Sequence, residues 1–356
     1  MKVEKVVLEN YRNYKRAEFT FRDGLNVICG RNAIGKTNLM ESIFVSAIGR
    51  SPRTKNEKDL ILMGESRAYI HLSLEKKFRS HNINVEIDKN EGKKVSVDGA
   101  KISRLGELLG FLTVVYFSPD ELKMIKEAPQ ERRRFIDLSL SQQCKPYYLA
   151  LSKYSKLLLQ RNKLIKQTDF AEFSQTAYIW ETQIADAAAD IILKRREFLQ
   201  KIGSIADEYH RKIAGEKEDL TLIYEPCTEC ETRDEIKSEM LRSLEESQKK
   251  DYELGYTTVG PHREDFNISC KGVDLRKFGS QGQQRTAALA IKLAEIEYYE
   301  KESGEKPVLL LDDVLSELDE NRRNALLEAT AGTQTFITCT EYEGACDNLI
   351  KLTERR

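Results

Sequence analysis

With 356 residues, 40% of them apolar, the chain can bury one large core or two modest ones, which excludes a disordered protein. Its 57 Lys and Arg stand against 58 Asp and Glu, so any polyanionic partner must be held by a local patch rather than by a whole-molecule basic field. No apolar run approaches the roughly 18 residues of a membrane span, so no membrane partner is expected, and seven scattered cysteines argue against a disulfide framework and for the cytoplasm.

The first eight residues alternate like a strand and lack the apolar core of a signal peptide. Residues 2–9 and 16–22 read as strands, with Asp23-Gly24 as a turn, and Leu25 to Cys29 reads as a short buried strand. A helix is expected from Lys36, with Leu39, Met40, Ile43, Phe44, Ala47 and Ile48 on one face and Gly49 as its stop. Residues 68–76, 82–88 and 93–98 follow as antiparallel strands. From about 120 to 215 the pattern turns helical. Tyr147, Leu151, Tyr154, Leu158 and Ile165 form one seam, with Arg161 in the missing position, and Trp180, Ile184, Ala187 and Ile191 begin another. Two such stripes joined by a polar turn predict a short antiparallel helical arm. Strands return near Leu220–Tyr224 and Phe266–Cys270, a helix runs from Gln281 to about Tyr299, and Val308 to Leu311 is a buried strand ending in Asp312-Asp313. After a helix at 320–330, Thr335–Cys339 reads as the last strand, followed by a polar tail. Cys227-Thr-Glu-Cys230 is a single CxxC with no second pair, a weak signal for zinc or redox chemistry.

Between the third strand and the first helix lies Gly30-Arg31-Asn32-Ala33-Ile34-Gly35-Lys36-Thr37, a match to GxxxxGK[ST]. Glycines let main-chain N–H groups turn inward around phosphate oxygens, and the helix start adds its own positive end. ATP is the expected ligand. Lys36 would reach the β- and γ-phosphates and Thr37 would hold magnesium. Asp312, at the C-terminal end of its strand, would be the second magnesium anchor, and Asp313 the group that polarises the attacking water. Ser280-Gln281-Gly282-Gln283 forms an S-x-x-Q capping box at a helix start, read alone as a plain cap.

The order of these parts matches ABC-type ATPases: phosphate loop, inserted helical region, capped Ser-Gln-Gly-Gln turn, double-acid strand, then Ser316-Glu317-Leu318-Asp319. Within them the chain resembles the RecF family of bacterial recombination mediators, related to SMC heads. The shared stretches are Leu8 to Tyr14, Gly30 to Asn38, Phe117 to Asp120, Pro129 to Asp137, Gln160-Arg161-Asn162, Gly260 to Arg263, Ser280 to Arg285 and Leu311 to Asp319. The resemblance implies an α/β fold, an ABC-type head. Lobe I, a mixed α/β sheet, would take residues 1–117 and 305–356. A mainly helical lobe II at 118–304 would carry the arm. It implies an ATP-driven homodimer in which Ser280, Gln281, Gly282 and Gln283 complete the partner's ATP site, with Ser316 to Asp319 as the D-loop. It further implies DNA binding at junctions of single and double strands, work with RecR and RecO toward RecA loading, and support of SOS induction. Arg12 and Asn13 are candidates for adenine or ribose contacts, and Asn38 continues the loop.

Two departures from transporter ATPases stand out. Asp313 replaces their Glu, and Thr338-Cys339-Thr340 occupies the place of their His, which together suggest slow turnover, suited to a switch; with the resemblance this implies a weak, DNA-stimulated ATPase. Ser118 or Asp120 would serve where the family's glutamine loop stands. For DNA the candidates are Lys123, Lys126, Arg132, Arg133 and Arg134, then Lys194, Arg195, Arg196 and Lys201. Arg53 sits where SMC heads carry an arginine near nucleotide and DNA. A transporter ATPase or an SMC-like head lacking its arm is the alternative; a nuclease-linked relative is disfavoured because no acidic cluster follows residue 320.

Overall fold

The computed structural model describes residues 1–214, 218–315 and 318–353, without the side chains of Asp120 and Asn321. Ser316 and Glu317 of the expected D-loop, and the Asp120 carboxylate, therefore lie outside the described residues. Two compact units form, one from residues 1–122 with 289–356 and one from 123–288.

The first unit begins with β1 (Lys2–Tyr11), β2 (Tyr14–Thr20), β3 (Leu25–Cys29), α1 (Lys36–Ile48), β4 (Arg67–Glu75), β5 (Ser80–Asp88), β6 (Gly92–Val97), β7 (Ala100–Ile102), α2 (Leu105–Leu108) and β8 (Val114–Phe117). Six of these strands make an antiparallel sheet in the order β2-β1-β4-β5-β6-β7. Alternation puts Ala68, Ile70, Leu72 and Leu74 of β4 on its buried face. In β1 the buried positions run Val3, Val6, Leu8, and a bulge between Val3 and Lys5 absorbs the broken alternation.

The second unit holds α3 (Lys123–Lys126), α4 (Pro129–Gln143), α5 (Lys145–Gln167), α6 (Phe170–Thr176), α7 (Tyr178–Ala214), β9 (Leu220–Glu225), α8 (Arg233–Leu254), β10 (Asp265–Cys270), β11 (Val273–Asp274) and α9 (Leu275–Phe278). α5 and α7 run antiparallel, since Arg161, Lys153 and Tyr147 meet Glu181, Asp186 and Arg195 in turn. The seam differs from expectation by one position. Ala150 and Leu157 are buried where Leu151 and Leu158 are only half-buried, because α8 also packs on the arm and turns its buried face. α8 itself is a correction: its polar sequence shows no apolar run, and only Ile236, Met240, Leu244 and Asp251 are buried. A reciprocal Thr232–Glu235 capping box starts it.

Two of the shared stretches, Pro129 to Asp137 and Gly260 to Arg263, meet at a buried polar network here. Arg195 reaches Asp137, Glu264 and the Pro261 carbonyl. Gly260 (φ 118°) has no room for a side chain, since a Cβ would sit 2.5 Å from Tyr154 Oη. Tyr154 donates to His262 Nδ1 at 2.6 Å, and His262 Nε2 donates to the Thr257 carbonyl at 3.1 Å. This neutral tautomer is half-buried, and its desolvation pulls the imidazole from 6.5 to about 4. The unfolded chain therefore takes up the proton first, and stability is lost as pH falls from 6.5 toward 4. Between pH 7 and 5 the expected loss from His262 is about 2 kcal/mol. Urea unfolding at both pH values, compared with H262Q, checks this; equal pH dependence in the two proteins would contradict it.

α10 (Gln281–Ser303) begins in the second unit and ends in the first, so the division between the two units falls inside a helix. The first unit then closes with β12 (Val308–Asp312), α11 (Glu320–Ala329), β13 (Thr335–Cys339) and β14 (Asn348–Lys351). These complete an all-parallel sheet in the order β14-β3-β13-β12-β8. β14 corrects the expectation of a polar tail. With two apolar residues it looks like coil, yet it pairs with β3 along Asn348 to Lys351. α1 packs against β4 and β5 of one sheet and β8, β12 and β13 of the other. It is consequently buried at Lys36 and from Leu39 through Ile48, not on one face only. Ser42 and Ser46 satisfy their hydroxyls on carbonyls of their own helix.

Candidate nucleotide-binding site

The loop between β3 and α1 leaves the parallel sheet at the C-terminal ends of its strands, where open α/β sheets bind ligands. Ala33 (φ 65°) and Gly35 (φ 119°) turn the chain through left-handed conformations. At Gly35 only glycine fits, because a Cβ would lie 2.7 Å from Tyr14 Oη and 2.8 Å from Asn13 Nδ2. No side chain caps α1 at its Gly35 end. Its first N–H groups are therefore left for an anion. Lys36 Nζ donates to the loop's own Gly30 and Arg31 carbonyls at 2.6 and 3.1 Å. Arg31, Asn32 and Ala33 are exposed.

Behind the loop, the first two strands act as its brace. Asn13 Nδ2 donates to the Ile34 carbonyl at 2.9 Å, and Tyr14 Oη to the Gly35 carbonyl at 3.0 Å. Arg12 forks onto Glu41 with two bonds of 2.7 Å and donates to the Asp59 carbonyl. Its guanidinium thus supports α1 through Glu41. The Glu41 hydrogen bond raises its pKa further above the usual arginine range. Glu41, which sequence reasoning passed over, is 1% exposed. It also accepts from Ser51. Arg53 Nη1 donates to Asn38 Oδ1, Asn38 donates to Asn13 Oδ1, and Asn13 holds the loop. An arginine with 45% of its side chain exposed is thereby linked to the phosphate loop by three successive hydrogen bonds.

Thr37 Oγ1, in the first turn of α1, lies 3.0 Å from Asp312 Oδ1 at the end of β12. Thr338 Oγ1 donates to Asp312 Oδ1 at 2.8 Å, and Tyr116 Oη to Oδ2 at 3.1 Å. Burial and the adjacent Asp312 charge push the Tyr116 phenol far up, so it stays a donor. A hydroxyl and a carboxylate, both hard oxygen donors held from behind, fit magnesium. Tyr116 and Thr338 were not among the expected site residues. Tyr116 offered no clue beyond a polar atom on a buried strand, whereas Thr338 belonged to the segment already singled out against the transporter His. Thr338 Oγ1 also accepts from the Asp313 main-chain N–H at 2.9 Å. Asp313 is exposed and left-handed at φ 57°, an uncommon conformation that turns it away from the strand.

In the other unit, Ser280 Oγ accepts from Gln283 N at 3.2 Å, and Gln283 Oε1 accepts from Ser280 N at 3.0 Å. That is a reciprocal capping box on α10. Ser280 and Gln281 are exposed, Gly282 and Gln283 half-buried. Of the basic candidates, Arg132 is a correction. It is 3% exposed, with its guanidinium forked onto Asp265 at 2.6 and 2.7 Å and onto the Met124 and Glu127 carbonyls. Arg133 is half-buried and donates to the Glu264 carbonyl, and Arg195 is buried. Arg196 is spent on the Thr228 and Cys230 carbonyls. Both clusters lose members because helices turn every third or fourth residue inward. Lys123, Lys126 and Arg134 remain exposed, with Arg134 near Glu131.

A family profile described as RecF/RecN/SMC N terminal domain matches residues 2–355. The chain is similar to the DNA replication and repair protein RecF of Alkaliphilus oremlandii (strain OhILAs), at 44% identity over 96% of this chain and 94% of that protein. It is 42% identical to the protein of the same description from Clostridium beijerinckii, over 98% and 94%. Among solved structures, the recombination mediator protein RecF with ATP, of the RecFOR pathway, superposes with a TM-score of 0.91 at 36% identity, covering 98% of this chain and 95% of that one. An Smc head bound to the C-winged helix domain of ScpA superposes at 0.56 and 17%, covering 95% and 89%, a likeness of fold alone. The fold is that of an ABC-type ATPase head.

Proposed function

The chain belongs to the RecF family, and from that premise we propose that it is an ATP-dependent DNA-binding switch of DNA replication and recombinational repair. The observation that carries this reading is the pairing of Thr37 with Asp312 beside a phosphate loop braced by Asn13 and Tyr14. When bound, magnesium ATP supplies the polyphosphate charge and the bond to be hydrolysed. The loop residues Gly30, Arg31, Asn32, Ala33, Ile34, Gly35, Lys36, Thr37 and Asn38 hold it, with Thr37 and Asp312 on the metal. Asp313 orients water, and one methylene less than glutamate suits slow turnover. Ser280, Gln281, Gly282 and Gln283 of a second copy complete the site, so that ATP joins two chains.

DNA is then held by the dimer through its backbone, with Lys123, Lys126, Arg134 and Arg53 as contacts. The pathway of the RecF relatives supports RecR and RecO as partners, junctions of single- and double-stranded DNA as the target, and RecA loading and SOS induction as the outcome. No described helix is long and apolar enough to cross a membrane. Filter binding of a gapped duplex tests the reading. ATP should raise affinity and added salt should lower it. DNA affinity that ignores nucleotide would sink the proposal. Ser280→Arg is expected to leave ATP binding by the monomer within about twofold, because the residue sits on an exposed turn, and to abolish the ATP-dependent dimer. Sedimentation velocity with and without ATP reads this directly; a normal dimer would place the signature turn outside the interface.

A further inference from the structure

We propose that His210, Glu218 and Cys270 form a binding site for a borderline-soft divalent cation such as zinc. His210 lies in the last turn of α7, Glu218 two residues before β9, and Cys270 at the end of β10, all within one compact unit. A ring nitrogen, a carboxylate oxygen and Sγ of these three residues lie within 4.8 Å of one another.

The second observation is an orphaned atom. His210 is fully buried, and among the described residues its Nε2 has no hydrogen-bond partner. Its Nδ1 lies 3.3 Å from the Glu218 main-chain carbonyl. Nδ1–H donated to a carbonyl leaves the Nε2 lone pair outward, the state in which histidines ligate metals. Cys270 is 3% exposed, and its sulfur's hydrogen-bond contact is a long 3.9 Å to Glu218 Oε2. The other Glu218 oxygen faces Lys271 Nζ at 3.7 Å, so the carboxylate divides between that lysine and the cluster.

Charge favours a cation as well. Glu218, Asp207 and Asp219 all act on His210, while Arg211 is paired with Asp207. The Cys270 thiol, raised by burial and by Glu218, would release its proton to solvent as the sulfur–metal bond forms. Nitrogen, sulfur and oxygen donors together suit zinc or cobalt and not magnesium or calcium. Zinc bonds of about 2.0–2.3 Å require the donors to close by roughly 1 Å, leaving a fourth position for water. The site would fasten the end of the arm helix to the paired strands β9 and β10.

Cobalt(II) titration of the full chain, stripped with chelator, is the test. One cobalt per chain is expected, with a near-ultraviolet sulfur-to-cobalt charge-transfer band, and zinc should displace it and raise Tm. Cys270→Ser should lose the band and at least tenfold in affinity, while C227S/C230S keeps both. Glu218→Gln, half-exposed and safe for folding, should weaken affinity several-fold yet retain the band. No cobalt bound, a band that survives C270S, or a band lost only in C227S/C230S overturns the proposal.

Discussion

Lys36→Met is expected to lower ATP affinity by roughly 10- to 100-fold and to eliminate the ATP-dependent dimer. A charge-assisted bond to phosphate contributes about 1.5–3 kcal/mol, and each 1.4 kcal/mol is tenfold in affinity. The substitution isolates that term. Lys36 is 7% exposed at the start of a helix whose next buried residues are apolar, so methionine fits the same channel. What the fold loses is the pair of bonds to the Gly30 and Arg31 carbonyls, both within the loop itself. Tm should therefore move little. Calorimetric ATP titration and sedimentation velocity check both parts, and a wild-type dimer in ATP would refute the assignment.

The second large effect concerns stability. Arg161→Met should destabilise residues 123–288 by about 3–5 kcal/mol and lower Tm by roughly 10 °C. Arg161 is fully buried between α5, α7 and α8. It bonds Glu181 twice, at 3.1 and 2.7 Å, then Asp251 at 2.7 Å and Thr257 at 2.8 Å, and it stacks on Phe173. Glu181 and Asp251 are themselves fully buried, so loss of the cation leaves two carboxylates without a counter-charge. Arg161→Lys should rescue only in part, because an ammonium cannot fork onto both. Neutralising the acids as well, in R161M/E181Q/D251N, should recover much of the loss. The single tryptophan, Trp180, adjoins Glu181 and reports urea unfolding of the arm. An unchanged midpoint would show that the triad adds nothing to stability.

These two arginine-and-lysine cases differ in how far they could be read in advance. Lys36 stands in a contiguous motif whose chemistry is local: eight residues, one strand and one helix suffice to aim N–H groups and an ammonium at one point. The capping box at Ser280 and Gln283 is equally local, and so were β3, α1 and β12. Arg161 was legible as a charged residue on an apolar seam and as part of the shared Gln160-Arg161-Asn162 stretch, but not as the centre of an ion-pair network. Its partners come from other helices, and one of them, α8, escaped notice because a polar helix with four buried residues shows no stripe.

Sequence alone therefore determined the phosphate loop, the acidic strand end, the ABC-type order of parts and the family. Each rests on residues adjacent in the chain or on their order along it. Tertiary structure decided which charges are surface and which are framework. It committed Arg132 and Arg195 to buried ion pairs and tied Arg12 to Glu41. It added Tyr116, Thr338 and Glu41 to the site, and it brought His210, Glu218 and Cys270 together. The reason is common to all of these: a charged or polar side chain's role depends on burial and on partners far along the chain, and neither is encoded in its neighbours.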